Sequence, residues 1–253
     1  MKQLALLGIL LTTLLSSPTR GAEAELFIEF LPAKDRQEQL IRQQLEGAEA
    51  IRQFRALVDE TFKLSEPLTI SFGATDGPLY DPETNQIEIP YAFILEVTER
   101  FEGIGEKQLG IPVSEATQDV LMHTLFHELG HALISAYQLP VVGREEDAVD
   151  GLATWMLINE FEQGSEIAIS AAQLFELESE DSDEIDDVQL QGEHSLDLQR
   201  FFQTLCHVVG HDPSHYQEMA QQAGLSRERV ESCIDEYQQL DDSWMTLLAP
   251  HLK

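Results

Sequence analysis

The sequence predicts an α+β protein that is mostly helical, with a small N-terminal β-sheet and a helical C-terminal part. Two short segments, LFIEF at 26–30 and PLTISFG at 67–73, are rich in β-branched and aromatic residues and have Pro or Gly nearby, which is typical of strands. Long stretches elsewhere repeat apolar residues at helical spacing. With 253 residues, 43% of them hydrophobic, the chain can form one sizeable core, so we expect one domain.

The remaining elements follow in order along the chain. Residues 37–64 carry apolar side chains at close to a helical period, and Gly47 is expected to interrupt that helix. A turn at 81–85 precedes a short strand at 86–89, which ends before Pro90. Further helices are predicted at 91–101, 115–137, 145–161, 196–209 and 227–248.

The first 24 residues have the features of a secretory signal peptide. Lys2 provides a positive charge, residues 4–15 form a short apolar stretch, and residues 22–24, Ala-Glu-Ala, fit the small-x-small cleavage pattern. An uncleaved membrane anchor would need an apolar run of about 20 residues. We therefore expect a mature chain from about residue 25 that is soluble and exported, either periplasmic or secreted.

The chain has two cysteines, Cys206 and Cys233. Disulfides persist in exported proteins, and both cysteines lie in predicted helices. A bridge would connect two C-terminal helices and stabilise the fold by roughly 3–4 kcal/mol. Two unpaired buried thiols are the alternative.

The charge is strongly unbalanced, with 46 acidic and 15 basic residues and a formal net charge of -31. Such a field repels nucleic acid and anionic membranes, so neither is expected as a partner. The densest acidic segment, ELESEDSDEIDD at 176–187, lacks the spacing of a calcium-binding EF-hand. We expect a solvated, mobile loop at about 176–190.

Residues 127–131, His-Glu-Leu-Gly-His, form the motif HExxH. Residues four apart on a helix share a face, so His127 and His131 can bind one metal ion while Glu128 contacts a water beside it. His123 precedes His127 by another four residues. A His123/His127 pair would leave Glu128 on the wrong side and His131 unused, so we expect His123 to pack nearby as a polar neighbour.

A catalytic zinc ion takes three protein ligands and leaves one position open for water. Glu146 and Asp150 are four apart on the predicted helix 145–161, so Glu146 can be the third ligand. Asp150, one turn later, can accept a hydrogen bond from the far nitrogen of a ligand histidine. Glu145 is the competing ligand, but it would place Val149 where that acid is needed.

HExxH followed by ExxxD resembles the gluzincin arrangement of zinc metallopeptidases, the thermolysin-like class. The wider sequence is similar to a bacterial metallopeptidase family defined by a domain of unknown function, and the similarity covers nearly all of the chain after the signal. The chain departs from that pattern at His207 and His211, where aromatic or small residues are expected. The segments that carry the resemblance are YDPETNQIEIPYAF, FHELGHALI, GREEDAVDGLAT, EHSLDLQRFFQTLC and RERVESC.

The resemblance implies a zincin-type fold, Zn²⁺ and hydrolysis of a peptide or protein substrate, with Glu128 as general base. The sequence suggests His194, just ahead of a helix, as the donor to the oxyanion, with Tyr91 and Tyr216 as alternatives. The strand at 86–89 resembles the edge strand that binds extended peptides in zincins. The alternative function is an exported, catalytically degenerate zinc-binding module with a structural or interaction role.

A second histidine set, His207, His211 and His215, repeats the spacing of four. Gly210 and Pro213 are expected to end the helix within this set, which would separate its members from a common face. The sequence therefore favours a surface histidine cluster over a second metal site.

Overall fold

A four-stranded sheet forms from the N-terminal part of the chain. The structure is a computed structural model that describes residues 25–181, 185 and 187–253, so the predicted signal peptide at 1–24 lies outside the described residues. The sheet order is β1-β2-β4-β3, with β1, β2 and β4 parallel and β3 antiparallel to β4. The strands are β1 (Leu26–Phe30), β2 (Leu68–Phe72), β3 (Leu79–Asp81) and β4 (Gln86–Ile89).

Helices make up most of the described chain, which confirms the predicted α+β fold class. Gly47 does separate the first two helices. The helices are α1 (Arg36–Glu46), α2 (Glu49–Thr61), α3 (Tyr91–Ile104), α4 (Glu106–Leu109), α5 (Val113–Tyr137), α6 (Glu145–Glu160), α7 (Gly164–Ser179), α8 (Asp187–Gln191), α9 (Asp197–His211), α10 (Pro213–Gln222) and α11 (Arg227–Leu248).

Five of these elements were not predicted from the sequence: β3, α4, α7, α8 and α10. Strand β3 has only three residues between Pro78 and Pro82, too few to show an alternating pattern. Helix α7 buries mostly small residues, which give a weak apolar period, and it extends through Ser179. The first four residues of the predicted acidic loop are therefore helical, and the short helix α8 begins at Asp187.

Helix α5 lies in the middle of the core and is buried along most of its length. Its close neighbour α6 packs against it at Gly130, where a Cβ atom would lie 2.8 Å from Cγ1 of Val149. Because a real Cβ contact is essentially never this short, Gly130 permits the two helices to approach closely. The same approach brings the start of α6 beside the histidines of α5.

A disulfide between Cys206 and Cys233 joins α9 to α11, as predicted. Both cysteines are fully buried in a small apolar cluster at the C-terminal end of the fold. Among the described helices, none has the length and hydropathy that a bilayer crossing requires.

We expect Cys206→Ala/Cys233→Ala to lower the free energy of unfolding by roughly 3–4 kcal/mol, because the bridge closes a loop with a sequence separation of 27. Urea unfolding of the oxidised wild type and of the double variant measures this difference. A reducing agent should shift the urea unfolding curve of wild type to lower urea concentrations and leave that of the double variant unchanged. Coincident wild-type curves with and without reductant would contradict the prediction.

Candidate metal centre

Two helices bring three potential metal ligands together. His127 and His131 lie one turn apart on α5, and Glu146 lies in the first turn of α6. One ligand atom from each residue lies within 4.8 Å of the other two. No second such group of histidine, cysteine and carboxylate side chains occurs among the described residues.

Glu146 carries the central oxygen of this group. Its Oε2 atom lies 3.2 Å from Nε2 of His127 and 3.3 Å from Nε2 of His131. This oxygen is buried, yet it makes no well-aligned hydrogen bond. Nε2 of His194 also approaches this oxygen. A buried carboxylate oxygen that three imidazole nitrogens approach without good hydrogen-bond geometry fits a shared cation, so the residues suit a metal ion.

The far nitrogen of His127 is held by a buried ion pair. Nδ1 of His127 lies 2.8 Å from Oδ1 of Asp150. Arg200 of α9 donates to both oxygens of Asp150, at 2.7 and 3.0 Å, and its guanidinium lies over the ring of Phe175. This chain of contacts fixes the His127 ring so that Nε2 faces Glu146.

Glu145 supports the second histidine. Its Oε1 atom lies 2.8 Å from Nδ1 of His131, the nitrogen turned away from Glu146. The competing assignment of Glu145 as a ligand is therefore disfavoured by the geometry, in which Glu146 faces both Nε2 atoms. Each histidine therefore contacts a carboxylate of its own. The side chain of Glu145 is 47% exposed, whereas that of Asp150 is 12% exposed.

The charges around His127, His131 and Glu146 favour a proton or a cation among these side chains. Burial acts to lower the pKa of His127, but Asp150 and Glu146 outweigh it and raise that pKa to about 9. Burial acts to raise the pKa of Glu146, but the facing imidazoles hold it well below its usual range. Protons and a metal cation compete for the same nitrogens, so a site that attracts protons this strongly also attracts a divalent ion.

Glu128 and His194 lie beside the three potential ligands. Glu128 is buried at 5% exposure, and burial raises the pKa of its carboxyl, although His127 and His131 oppose that shift. His194 precedes α9, and its Nε2 atom lies 2.9 Å from Oε2 of Glu146. Its backbone carbonyl accepts a hydrogen bond of 2.6 Å from Arg144, which ties this loop to the start of α6.

These residues lie in a cleft of about 860 Å³ whose opposite wall includes β3. Strand β3 is at the edge of the sheet, whereas β4 pairs on both sides. The expectation that residues 86–89 form the peptide-binding edge is therefore wrong, because the unpredicted strand β3 covers them. Pro78, Leu79, Tyr80 and Pro82 contribute to this wall.

Three other residues considered from the sequence lie outside the cleft. Tyr91 is buried and donates to the carbonyl of Leu31, and Tyr216 donates to Glu166. Neither can act as a donor in the cleft. His123 is buried near Thr154 and against the edge of Phe175, and it does not belong to the metal group.

The end of α9 separates the three histidines His207, His211 and His215. His207 and His211 lie on α9, which ends at His211, and His215 lies on α10. His211 and His215 are exposed. His207 is buried, so the expectation of a surface position is wrong for this residue. Burial lowers its pKa to about 4, although Glu236 acts in the opposite direction.

The buried His207 predicts acid sensitivity. Between pH 6.5 and 4 the unfolded chain binds a proton at this imidazole and the folded protein does not, so stability falls as the pH falls. At 1.36 kcal/mol per pKa unit, this histidine lowers the free energy of unfolding at pH 4 by at most about 3 kcal/mol. The variant His207→Gln, which cannot titrate, should lose less stability than wild type when urea unfolding is compared at pH 7 and pH 4. Equal losses in the two proteins would contradict this prediction.

Comparison with known families supports a metal-dependent enzyme. Residues 30–248 match the DUF4344 family, whose description is "Putative metallopeptidase". The chain belongs to this family. The match begins at the last residue of β1 and includes the other three strands, both helices of the candidate metal centre and the disulfide, so it covers the whole site. No curated protein and no solved structure matches the chain.

Several residues of this DUF4344 site were not found from the sequence. Arg200 and Arg144 carry no motif, and their roles depend on how α9 and the loop before it pack against α6. Tyr80 lies on the unpredicted strand β3 and donates to Asn85. The sequence suggests Glu145 only as a competing ligand, because its contact with His131 joins two helices and depends on how α6 packs against α5.

Proposed function

We propose that the protein is an exported zinc-dependent metallopeptidase of gluzincin type. The observation that carries this proposal is the convergence of His127, His131 and Glu146, with Glu128 buried beside them. Membership in a metallopeptidase family supports the same reaction class. The disulfide supports export, because such bonds persist in oxidising compartments.

Two imidazoles and one carboxylate form a donor set that zinc commonly takes in catalytic sites. His127, His131 and Glu146 would hold the ion, with Asp150 and Glu145 fixing the orientation of the two rings. When bound, zinc polarises the scissile carbonyl and lowers the pKa of the attacking water toward about 7.

Glu128 acts as the general base in this proposal. It accepts a proton from the attacking water and passes it to the leaving amine. The C–N bond of the peptide breaks as the C–O bond to water forms, so the products are a carboxylate and an amine. The buried position of Glu128 next to both histidines supports this role.

His194 donates a hydrogen bond to the oxyanion that develops on the substrate carbonyl. Its imidazole faces the group from the loop before α9 and is 48% exposed, so a substrate can reach it. Strand β3 binds the extended peptide by main-chain hydrogen bonds along its open side. Arg144 is a positioning residue, because its contact with the carbonyl of His194 holds this loop in place.

The test combines metal analysis with peptide cleavage. We expect wild type to contain one zinc ion per chain and to cleave members of a mixed peptide library. Glu146→Ala should lose both the zinc and the cleavage, because two neutral imidazoles alone hold zinc weakly. Asp147→Asn, an exposed acid on the same helix, is the matched control and should keep both.

Two outcomes would contradict the proposal. Zinc-loaded wild type that cleaves nothing would favour the alternative of a degenerate zinc-binding module. Full zinc content in Glu146→Ala would remove Glu146 from the ligand set.

A further inference from the structure

A second cavity, of about 160 Å³, adjoins the metal centre. It shares Pro78, His127, Glu128 and His194 with the main cleft, so these residues form the junction between the two spaces. The rest of its lining comes from α3, α5, α7 and α9. A cavity that opens directly beside the reacting group is in a position to receive the side chain of a bound peptide.

This side cavity has both polar and apolar walls, in about equal parts. Phe93, Val120, Ala171, Leu174 and Phe175 supply the apolar walls. Such walls favour an aliphatic chain or an aromatic ring over a short polar group. The volume is large enough for one amino-acid side chain, and it is too small for a second peptide segment.

One acidic group in this lining has no partner. The carboxylate of Glu178, on α7, makes no hydrogen bond or ion pair with the residues that the structure describes. Burial raises the pKa of Glu178 to about 7, and Asp197 acts in the same direction, while the charges of Arg200 and Arg100 oppose the shift. A largely buried carboxyl with a raised pKa gains most from an incoming cation.

The nearby cationic side chains are already paired. Arg200 binds both oxygens of Asp150, and Arg100 binds Glu96 and Asp181. Of the three histidines in the lining, His127 contacts Asp150 and Glu146, and His194 contacts Glu146. The third, His123, has its pKa lowered to about 3 by burial and is neutral at ordinary pH. The charge of Glu178 is therefore available to a ligand.

We propose that the side cavity binds a lysine or arginine side chain of the substrate, adjacent to the scissile bond, with Glu178 as the specificity-determining residue. The aliphatic part of that side chain packs between the apolar walls, and its cationic end pairs with Glu178. The formal net charge of -31 supports the approach of basic peptides. This inference rests on the proposed peptidase function.

Matched peptides that carry either lysine or the uncharged norleucine at the same position test the inference. We expect zinc-loaded wild type to favour the lysine peptide by about tenfold or more in kcat/KM, the scale of a buried hydrogen bond to a charged group. In Glu178→Gln the ratio should fall below about threefold, and in Glu178→Lys a glutamate peptide should become preferred over lysine. Glu180→Gln, an exposed acid at the end of the same helix, is the control and should retain the wild-type ratio.

Binding measured by fluorescence anisotropy with the same labelled peptides separates this inference from the proposed function. Wild type that cleaves peptides without a preference for lysine overturns the inference and leaves the peptidase intact. Wild type that binds lysine peptides in a Glu178-dependent manner but cleaves none overturns the peptidase and supports the cavity assignment. Equal binding of lysine and norleucine peptides to wild type and Glu178→Gln overturns the inference regardless of cleavage.

Discussion

Glu128→Gln is expected to retain its zinc and to lower kcat for peptide cleavage by roughly 100- to 10,000-fold. Glutamine has nearly the same shape as glutamate, so the buried position beside His127 and His131 stays filled. Its amide cannot accept the proton of the attacking water, which removes the general base. Elemental analysis and cleavage of one library-derived peptide measure the two effects on the same preparation.

Glu193→Gln is the matched control for this variant. Glu193 lines the same cleft but is exposed and lies beyond the ligand group, so cleavage should stay close to that of wild type. Loss of zinc from Glu128→Gln would assign Glu128 a role in holding the metal. Unchanged kcat would exclude it as the base.

Asp150→Ala should destabilise the fold by roughly 3–5 kcal/mol, because it leaves the buried guanidinium of Arg200 without its carboxylate partner. It should also weaken zinc binding by about 10- to 100-fold, because His127 loses the hydrogen bond that orients its ring. Urea unfolding of the metal-free protein and zinc titration measure the two effects separately.

The double variant Asp150→Ala/Arg200→Met separates the two roles of Asp150. Because methionine removes the unpaired charge of Arg200, the double variant should regain most of the stability that Asp150→Ala loses. Its zinc affinity should remain as low as that of Asp150→Ala. Asp197→Ala is the control, since this partly exposed acid lies 3.7 Å from Arg200 and should contribute less than about 1 kcal/mol. Wild-type zinc affinity in Asp150→Ala would contradict the orienting role.

The sequence predicted those pairs of site residues that depend only on spacing along a single helix. His127 and His131 share a face of α5, and Glu146 and Asp150 share a face of α6, because residues four apart on any helix do so. The structure places these residues together in the predicted relation. Their chemical roles remain proposals.

The remaining features depend on packing between distant segments. Arg200 reaches Asp150 only because α9 packs against α6, and no local pattern reports that contact. Strand β3 exists because β4 offers it a pairing edge, not because its three residues favour extended structure. Helix α7 was missed because small residues fill its buried face.

Gly130 shows how one residue connects the two predicted motifs. It occupies a variable position of HExxH, yet the space it leaves empty is taken by Val149 of α6. A side chain at this position would push α6 away from α5 and carry Glu146 with it. The separation of these two helices is thus part of the geometry of the metal centre.

The open edge of β3 has a consequence for the behaviour of the protein at high concentration. An unpaired strand that can accept a substrate backbone can equally accept a strand from another copy of the same chain, which is a route to aggregation. The three-residue length of β3 and its flanking prolines, Pro78 and Pro82, limit such pairing.

The same shortness limits what backbone pairing contributes to substrate affinity. Three residues offer about two hydrogen bonds on the open side, each with a net contribution of roughly 1 kcal/mol. A peptide held by this edge alone would dissociate readily, and so would a second copy of the chain. The short edge that limits self-association therefore also limits main-chain affinity for a peptide. In the proposed peptidase, tight substrate binding would come from the metal and from side-chain contacts.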